Sequence, residues 1–117
     1  MTDKGIIFGG YTDLAFIFHK DGESQYIDNN AFVFSMDKQK IYPVKKGGNA
    51  IRCCYCCSPQ FYSSTIYLNK DFLKGNNSST CKAKEGSYLG FNSDYELNDG
   101  TPTFKVSELE VFQITFS

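Results

Sequence analysis

Apolar residues in this chain recur with a period of two and come in short runs, and no stretch sustains the three-to-four spacing of an amphipathic helix. Ala31-Phe32-Val33-Phe34 is apolar on both alternating faces, as expected of a central strand covered on both sides. The turn residues Asp37-Lys38-Gln39-Lys40 separate it from Ile41-Tyr42-Pro43-Val44, where the missing proline N–H predicts a strand end or a sheet edge. Gly47-Gly48-Asn49 opens the next turn, residues 50–57 give a third strand closed by Ser58-Pro59, and Thr65-Ile66-Tyr67-Leu68 a fourth. Residues 69–74 hold one helical turn at most before Gly75-Asn76-Asn77-Ser78-Ser79, which predicts an exposed loop. Residues 87–91 allow a short strand, Asn98-Asp99-Gly100-Thr101-Pro102 is a strong turn, and residues 104–116 read as a long closing strand. The expectation is an all-β antiparallel sandwich with at most one or two short helical turns.

Size and charge narrow the function. With 117 residues, 41% of them hydrophobic, the chain has material for one domain over residues 1–117, which at this size buries roughly 60 to 70% of its unfolded surface. A net charge of -1 with scattered Lys and Arg gives no footprint for nucleic acid and no polybasic strip for a membrane surface. No apolar stretch reaches the roughly 18 residues of a membrane span, and Met1-Thr2-Asp3-Lys4 lacks the form of a secretory signal. A cytoplasmic location is expected, so the N-x-S patterns at Asn76 and Asn77 are not read as glycan acceptors.

Five cysteines agree with a reducing compartment. Cys53, Cys54, Cys56 and Cys57 crowd around Tyr55, and Cys81 stands alone. In an extended strand Cys53 and Cys57 face one way and Cys54 and Cys56 the other, so four thiolates cannot converge on one zinc ion. Buried small side chains are the favoured reading, redox-sensitive thiols the next, and neither metal nor cofactor is expected. His19, the only histidine, sits in a polar segment beside Lys20 and Asp21 and reads as an exposed loop residue rather than part of a nucleophile pair. The chain is not expected to be an enzyme.

Two features remain. Gly9 and Gly10 follow an apolar run and precede Tyr11-Thr12-Asp13; glycine there permits positive φ and close backbone approach, and a strand exit with a packed tyrosine is favoured over a ligand site. Near the end, strict alternation puts Glu108 and Glu110 on one face with Val106, Phe112, Ile114 and Phe116. Either a bulge near Val111 shifts the register, or one Glu lies at the core edge, where an unpaired charge is costly. A solvated pair at a strand end is the plainer alternative, and a buried or partner-facing role for Glu110 the sharper one.

In order along the chain stand Phe8-Gly9-Gly10-Tyr11-Thr12, Phe16, Ala31-Phe32-Val33-Phe34-Ser35-Met36, Tyr42-Pro43, Asn49-Ala50-Ile51, Pro59-Gln60-Phe61, Ile66-Tyr67-Leu68 and Val106-Ser107-Glu108-Leu109-Glu110-Val111-Phe112. This series resembles the TLDc domain family, the β-sandwich module of oxidation-resistance-type proteins, and matches roughly the later two-thirds of the family domain. The chain departs from the family pattern in having no tryptophan after the Gly-Gly-Tyr-Thr entry and Tyr62-Ser63-Ser64 where a glycine-rich segment usually stands. The resemblance implies a protein-interaction module that influences assembly of the vacuolar-type ATPase and takes part in resistance to oxidative damage. It implies Gly9, Gly10, Tyr11 and Thr12 as a structural entry, while Glu108 and Glu110 are the candidate partner-binding acids. A docking component of a ciliary or filament lattice is the alternative, and a thiol-based redox or metal-binding protein a third.

Overall fold

Strand pairing follows from where apolar side chains can be hidden on both sides of a ribbon. In the computed structural model, residues 1–14, 23–54, 60–62, 65–69, 79–84 and 86–112 are described. Val33 is fully buried and Ser35 nearly so, while Phe32 and Phe34 between them are half-buried; this alternation defines β3 (Phe32–Ser35). It pairs antiparallel with β1 (Phe8–Tyr11) on one side and β4 (Lys40–Pro43) on the other, giving a three-stranded sheet ordered β1-β3-β4. The Ala31–Phe34 run is thus central in its sheet, and Pro43 ends an edge strand, but the run is not covered on both sides as expected: Val33 is buried while Phe32 and Phe34 on the other face are only half-buried.

The second sheet has six strands. β2 (Glu23–Ile27) and β5 (Asn49–Cys54) pair antiparallel, with an irregularity at Tyr26 and Ile27. Outward from β5 follow β6 (Gln60–Phe61), β7 (Ile66–Tyr67), β8 (Ser79–Thr80) and β9 (Thr103–Phe104). Val33 and Tyr42 from the first sheet share one buried cluster with Ala50, Ile51, Ile66 and Phe104 from the second, so the core lies between two antiparallel sheets as in a sandwich. Glu96–Asn98 forms a single turn of 3-10 helix, closed by Asp99 in the left-handed region at φ 52.

The predicted turns at residues 37–40, 47–49 and 98–102 are present, with positive φ at Gln39, Gly47, Asp99 and Gly100. Several expectations need correction. Gly9 and Gly10 lie inside β1 rather than at a strand exit, paired with Phe34 and Val33, and neither has positive φ. The closing run is not one long strand over its described part. Thr103–Phe104 is β9, Val106 makes a single bridge to Thr2, and Ser107 and Glu108 bond to the Met1 backbone, but residues 107–112 are assigned to no strand. Residues 87–91 contribute one bridge, Val44 to Tyr88, rather than a strand. Ser79, expected in an exposed loop, is fully buried in β8, where its hydroxyl accepts from the Asn69 N–H at 3.0 Å. β2 and β6 were not anticipated. Phe16, His19, Cys56, Cys57 and residues 70–78, with Asn76 and Asn77, lie outside the described residues, as do the side chains of Cys53 and Cys54.

Candidate interaction surface

The two faces of the β1-β3-β4 sheet differ in what covers them. On the inner face Gly10 receives a side chain of the opposite sheet: a Cβ at Gly10 would sit 2.6 Å from the Phe61 ring, so only glycine admits that ring. Phe61 also meets Tyr88 edge-on at 6.5 Å, and the Tyr88 hydroxyl donates to the Ala50 carbonyl at 2.7 Å. On the outer face the pairings Gly9 with Phe34, Tyr11 with Phe32, and Phe34 with Ile41 bring apolar side chains into one patch. Tyr11 stacks on Phe32 at 5.1 Å, and the Phe34 ring lies over Gly9, where an added Cβ would be 2.8 Å away. Met36 (58% exposed) and Ile41 (63% exposed) complete it, beside a groove of about 420 Å³ lined by Phe32, Phe34, Met36, Gln39, Lys40 and Ile41. No described residue covers this patch.

Polar networks brace both ends of the sheet. At one end the chain leaving β1 is tied to the turn between β2 and β3. The buried Asp28 carboxylate accepts from the Thr12 hydroxyl at 2.6 Å, the Asp13 N–H at 2.7 Å and the Asn30 N–H at 3.0 Å. The Tyr11 hydroxyl donates to Asp13, whose other oxygen accepts from the Asn30 amide at 2.8 Å. These two donors hold the Asp13 carboxyl below its usual range, and the same bond pushes the Tyr11 phenol up. Gly9, Gly10, Tyr11 and Thr12 therefore stand in close contacts of the fold, two as seats for rings and two as hydrogen-bond donors.

At the other end Glu96, 8% exposed, is the centre of a second network. It accepts from the Tyr42 hydroxyl and from the Asn92 N–H at 2.9 Å, and pairs with the Lys40 ammonium at 3.4 Å. Lys40 also donates to the Gly90 carbonyl at 2.5 Å, and Tyr42 stacks on Phe91 with ring centroids 3.8 Å apart. Burial works against the charged carboxylate, but the Tyr42, Asn92 and Lys40 donors outweigh it and leave the Glu96 carboxyl below its usual value. Burial and the adjacent carboxylate push the Tyr42 phenol up. No sequence signal singled out Glu96 or Asp28. Each is recognised only once distant loops have been brought together.

The predicted partner-binding acids lie elsewhere. Glu108 and Glu110 stand in residues 107–112, all exposed, with Leu109, Val111 (86% exposed) and Phe112 (76% exposed) beside them. Their exposure excludes a carboxylate at the core edge, and the register question does not arise, because the segment is not in a strand. Among the described residues no hydrogen bond or ion pair joins the acids to the Gly9–Thr12 entry. Cys81 is buried, its thiol directed at the Thr101 carbonyl at 3.8 Å, and burial pushes it up to about 11, far from a reactive thiolate. Among the described residues no group of three or more His, Cys, Asp or Glu side chains is placed to hold a metal ion. Likewise no described helix is long and apolar enough to cross a membrane.

A family model for the TLDc domain matches residues 1–115. The chain belongs to the TLDc family. Searches of curated proteins and of solved structures returned no match. The TLDc assignment spans both surfaces described above, the outer face of the first sheet and the acidic, apolar segment at residues 107–112. It supports an oxidation-resistance-type module.

Proposed function

We propose that this TLDc domain is a non-enzymatic protein-interaction module of the cytoplasm, with subunits of the vacuolar-type ATPase as partners and resistance to oxidative damage as its wider role. One observation carries the reading. Large apolar side chains alternate with carboxylates in an exposed segment, Glu108 to Phe112, a composition that suits a docking strip. The partner itself is drawn from the family likeness, and Glu108 and Glu110 are the acids that face it. Both are exposed and no described side chain bonds to their carboxylates, so replacing them costs the fold little. Glu110→Ala is expected to weaken capture of purified vacuolar-type ATPase in a pull-down while stability stays within about 1 kcal/mol of the parent chain. Equal capture by the two chains would remove Glu110 from the docking strip.

A second reading rests on a different observation, the uncovered outer face of the β1-β3-β4 sheet. A face with Phe32, Phe34, Met36 and Ile41 exposed or half-exposed suits a docking component packed against other chains of a large lattice.

A further inference from the structure

Tyr88 and Leu97 are both buried in the core cluster and anchor the two ends of a loop, residues 89–96, most of which lies outside it. Leu89, Gly90, Asn92 and Ser93 are exposed, and Phe91, Asp94 and Tyr95 half-buried. The loop is held down by the Tyr42 hydroxyl and the Lys40 ammonium on Glu96 and by the Phe91 ring on Tyr42. The Ser93 hydroxyl makes no hydrogen bond to a described residue. Asp94 and Glu96 follow it by one and three positions.

We infer that Ser93 is a phosphorylation site for a serine kinase that selects acids one and three positions after the acceptor, and that the Tyr42 network gates it. A kinase of this class holds those carboxylates with Lys and Arg side chains. In the closed loop neither carboxylate is free to be held. The Asp94 carboxylate accepts from the Lys84 N–H at 3.1 Å, and Glu96 is buried with Tyr42, Lys40 and the Asn92 N–H as its donors. The acceptor hydroxyl is thus exposed while its recognition signal is withdrawn. The kinase acts on loops that have opened between anchors that stay in the core, so the rate follows the open population. ATP is the phosphate donor: the Ser93 Oγ bonds to the γ-phosphorus as the bond from that phosphorus to the β,γ-bridging oxygen breaks. ADP leaves, and the hydroxyl proton passes to the general base of the kinase. The added phosphate carries a charge of about -1.5 to -2 beside Asn92, whose N–H donates to the Glu96 carboxylate, so like charges oppose reclosure.

The test incubates the full chain with ATP, magnesium and a purified acidophilic serine kinase, and locates phosphate by tandem mass spectrometry. A phosphopeptide centred on Ser93 should form and should be lost in Ser93→Ala. Tyr42→Phe keeps the ring and the recognition acids but removes one bond of the latch, and should raise the initial rate at Ser93 at least about five-fold. Gly10→Ala weakens the whole fold from a site on the opposite sheet face and should leave that rate unchanged, because the opening is local. Ser107, with Glu108 and Glu110 at the same spacing and no part in the Tyr42 network, is the comparison whose rate should not respond to Tyr42→Phe. In the phosphorylated chain, hydrogen exchange at the Asn92 amide should quicken at least about ten-fold. Three results overturn the inference: no phosphate at Ser93 in the parent chain or in Tyr42→Phe, equal rates at Ser93 in those two chains, or an equal rise at Ser107 or in Gly10→Ala. In the last case the kinase acts on the unfolded chain rather than on an opened loop. Unchanged exchange at Asn92 overturns it as well, because the phosphate is then without effect on the loop.

Discussion

Gly10 sits in the middle of a strand, where glycine ordinarily weakens the fold by roughly 0.5 to 1 kcal/mol relative to alanine. Here the order reverses, because the Phe61 ring occupies the space an alanine methyl would need, 2.6 Å from the built Cβ. Gly10→Ala is expected to destabilise by about 1 to 3 kcal/mol in chemical denaturation, the usual cost of overpacking. Combining it with Phe61→Leu should cost less than the sum of the two single changes, since both act on one contact. Strictly additive costs would show that the ring and the glycine are energetically independent. Gly9 offers the internal comparison: its added Cβ would meet the tip of Phe34 on the open outer face, where the ring has room to swing away. The sequence allows both positive φ and close backbone approach at the glycine pair. It could not say which aromatic arrives, because Phe61 lies 51 positions from Gly10 along the chain and on the opposite sheet.

At the scale of elements, legibility followed how local the cause of a strand is. β3 was readable because its own residues alternate, and β4 because Pro43 marks its end. β2 was invisible: Glu-Ser-Gln-Tyr-Ile has no apolar alternation and is a strand because β5 lies beside it, with Asn49 donating to the Gln25 side chain at 2.6 Å. The closing run erred the other way. Its residues favour a strand, yet past Val106 only Met1 among the described residues bonds to it, at Ser107 and Glu108. The loop carrying residues 90–98 is likewise held from a distance, by the network in which Tyr42, Lys40 and the Asn92 N–H converge on Glu96. Its sign with pH follows directly. The folded chain holds this carboxyl below its ordinary value of 4.5, so the stabilisation is fully present above that value and is lost as pH falls through the lower folded one. Glu96→Gln should therefore cost about 1 to 3 kcal/mol near neutral pH. The gap between it and the parent chain should close as denaturation is repeated at pH values stepped progressively below 4.5. A gap that stays constant across that range would mean the charge on Glu96 is not what holds the loop.

For the molecule as a whole, the uncovered side of the first sheet separates the two readings of function. Three strands of four residues, spaced about 4.8 Å apart with a rise of about 3.3 Å per residue, make a face of roughly 200 Å². That is well short of the roughly 800 Å² per partner of a stable specific interface. The face alone is therefore too small to hold two copies together in dilute solution, although Met36 and Ile41 make it adhesive when many copies are crowded. A regulator that meets its partner through residues 107–112 should run as a monomer in size-exclusion chromatography at micromolar concentration. Ile41→Lys should change neither its elution nor its capture of the vacuolar-type ATPase. A lattice component behaves differently, because the face is then the contact: the parent chain should associate as concentration rises, and Ile41→Lys should abolish that association by placing a charge on the patch beside Phe34. Ile41 is exposed, so the substitution leaves the buried cluster untouched. An elution that shifts with concentration in the parent chain and not in the variant would move the docking function from the acidic segment to the sheet.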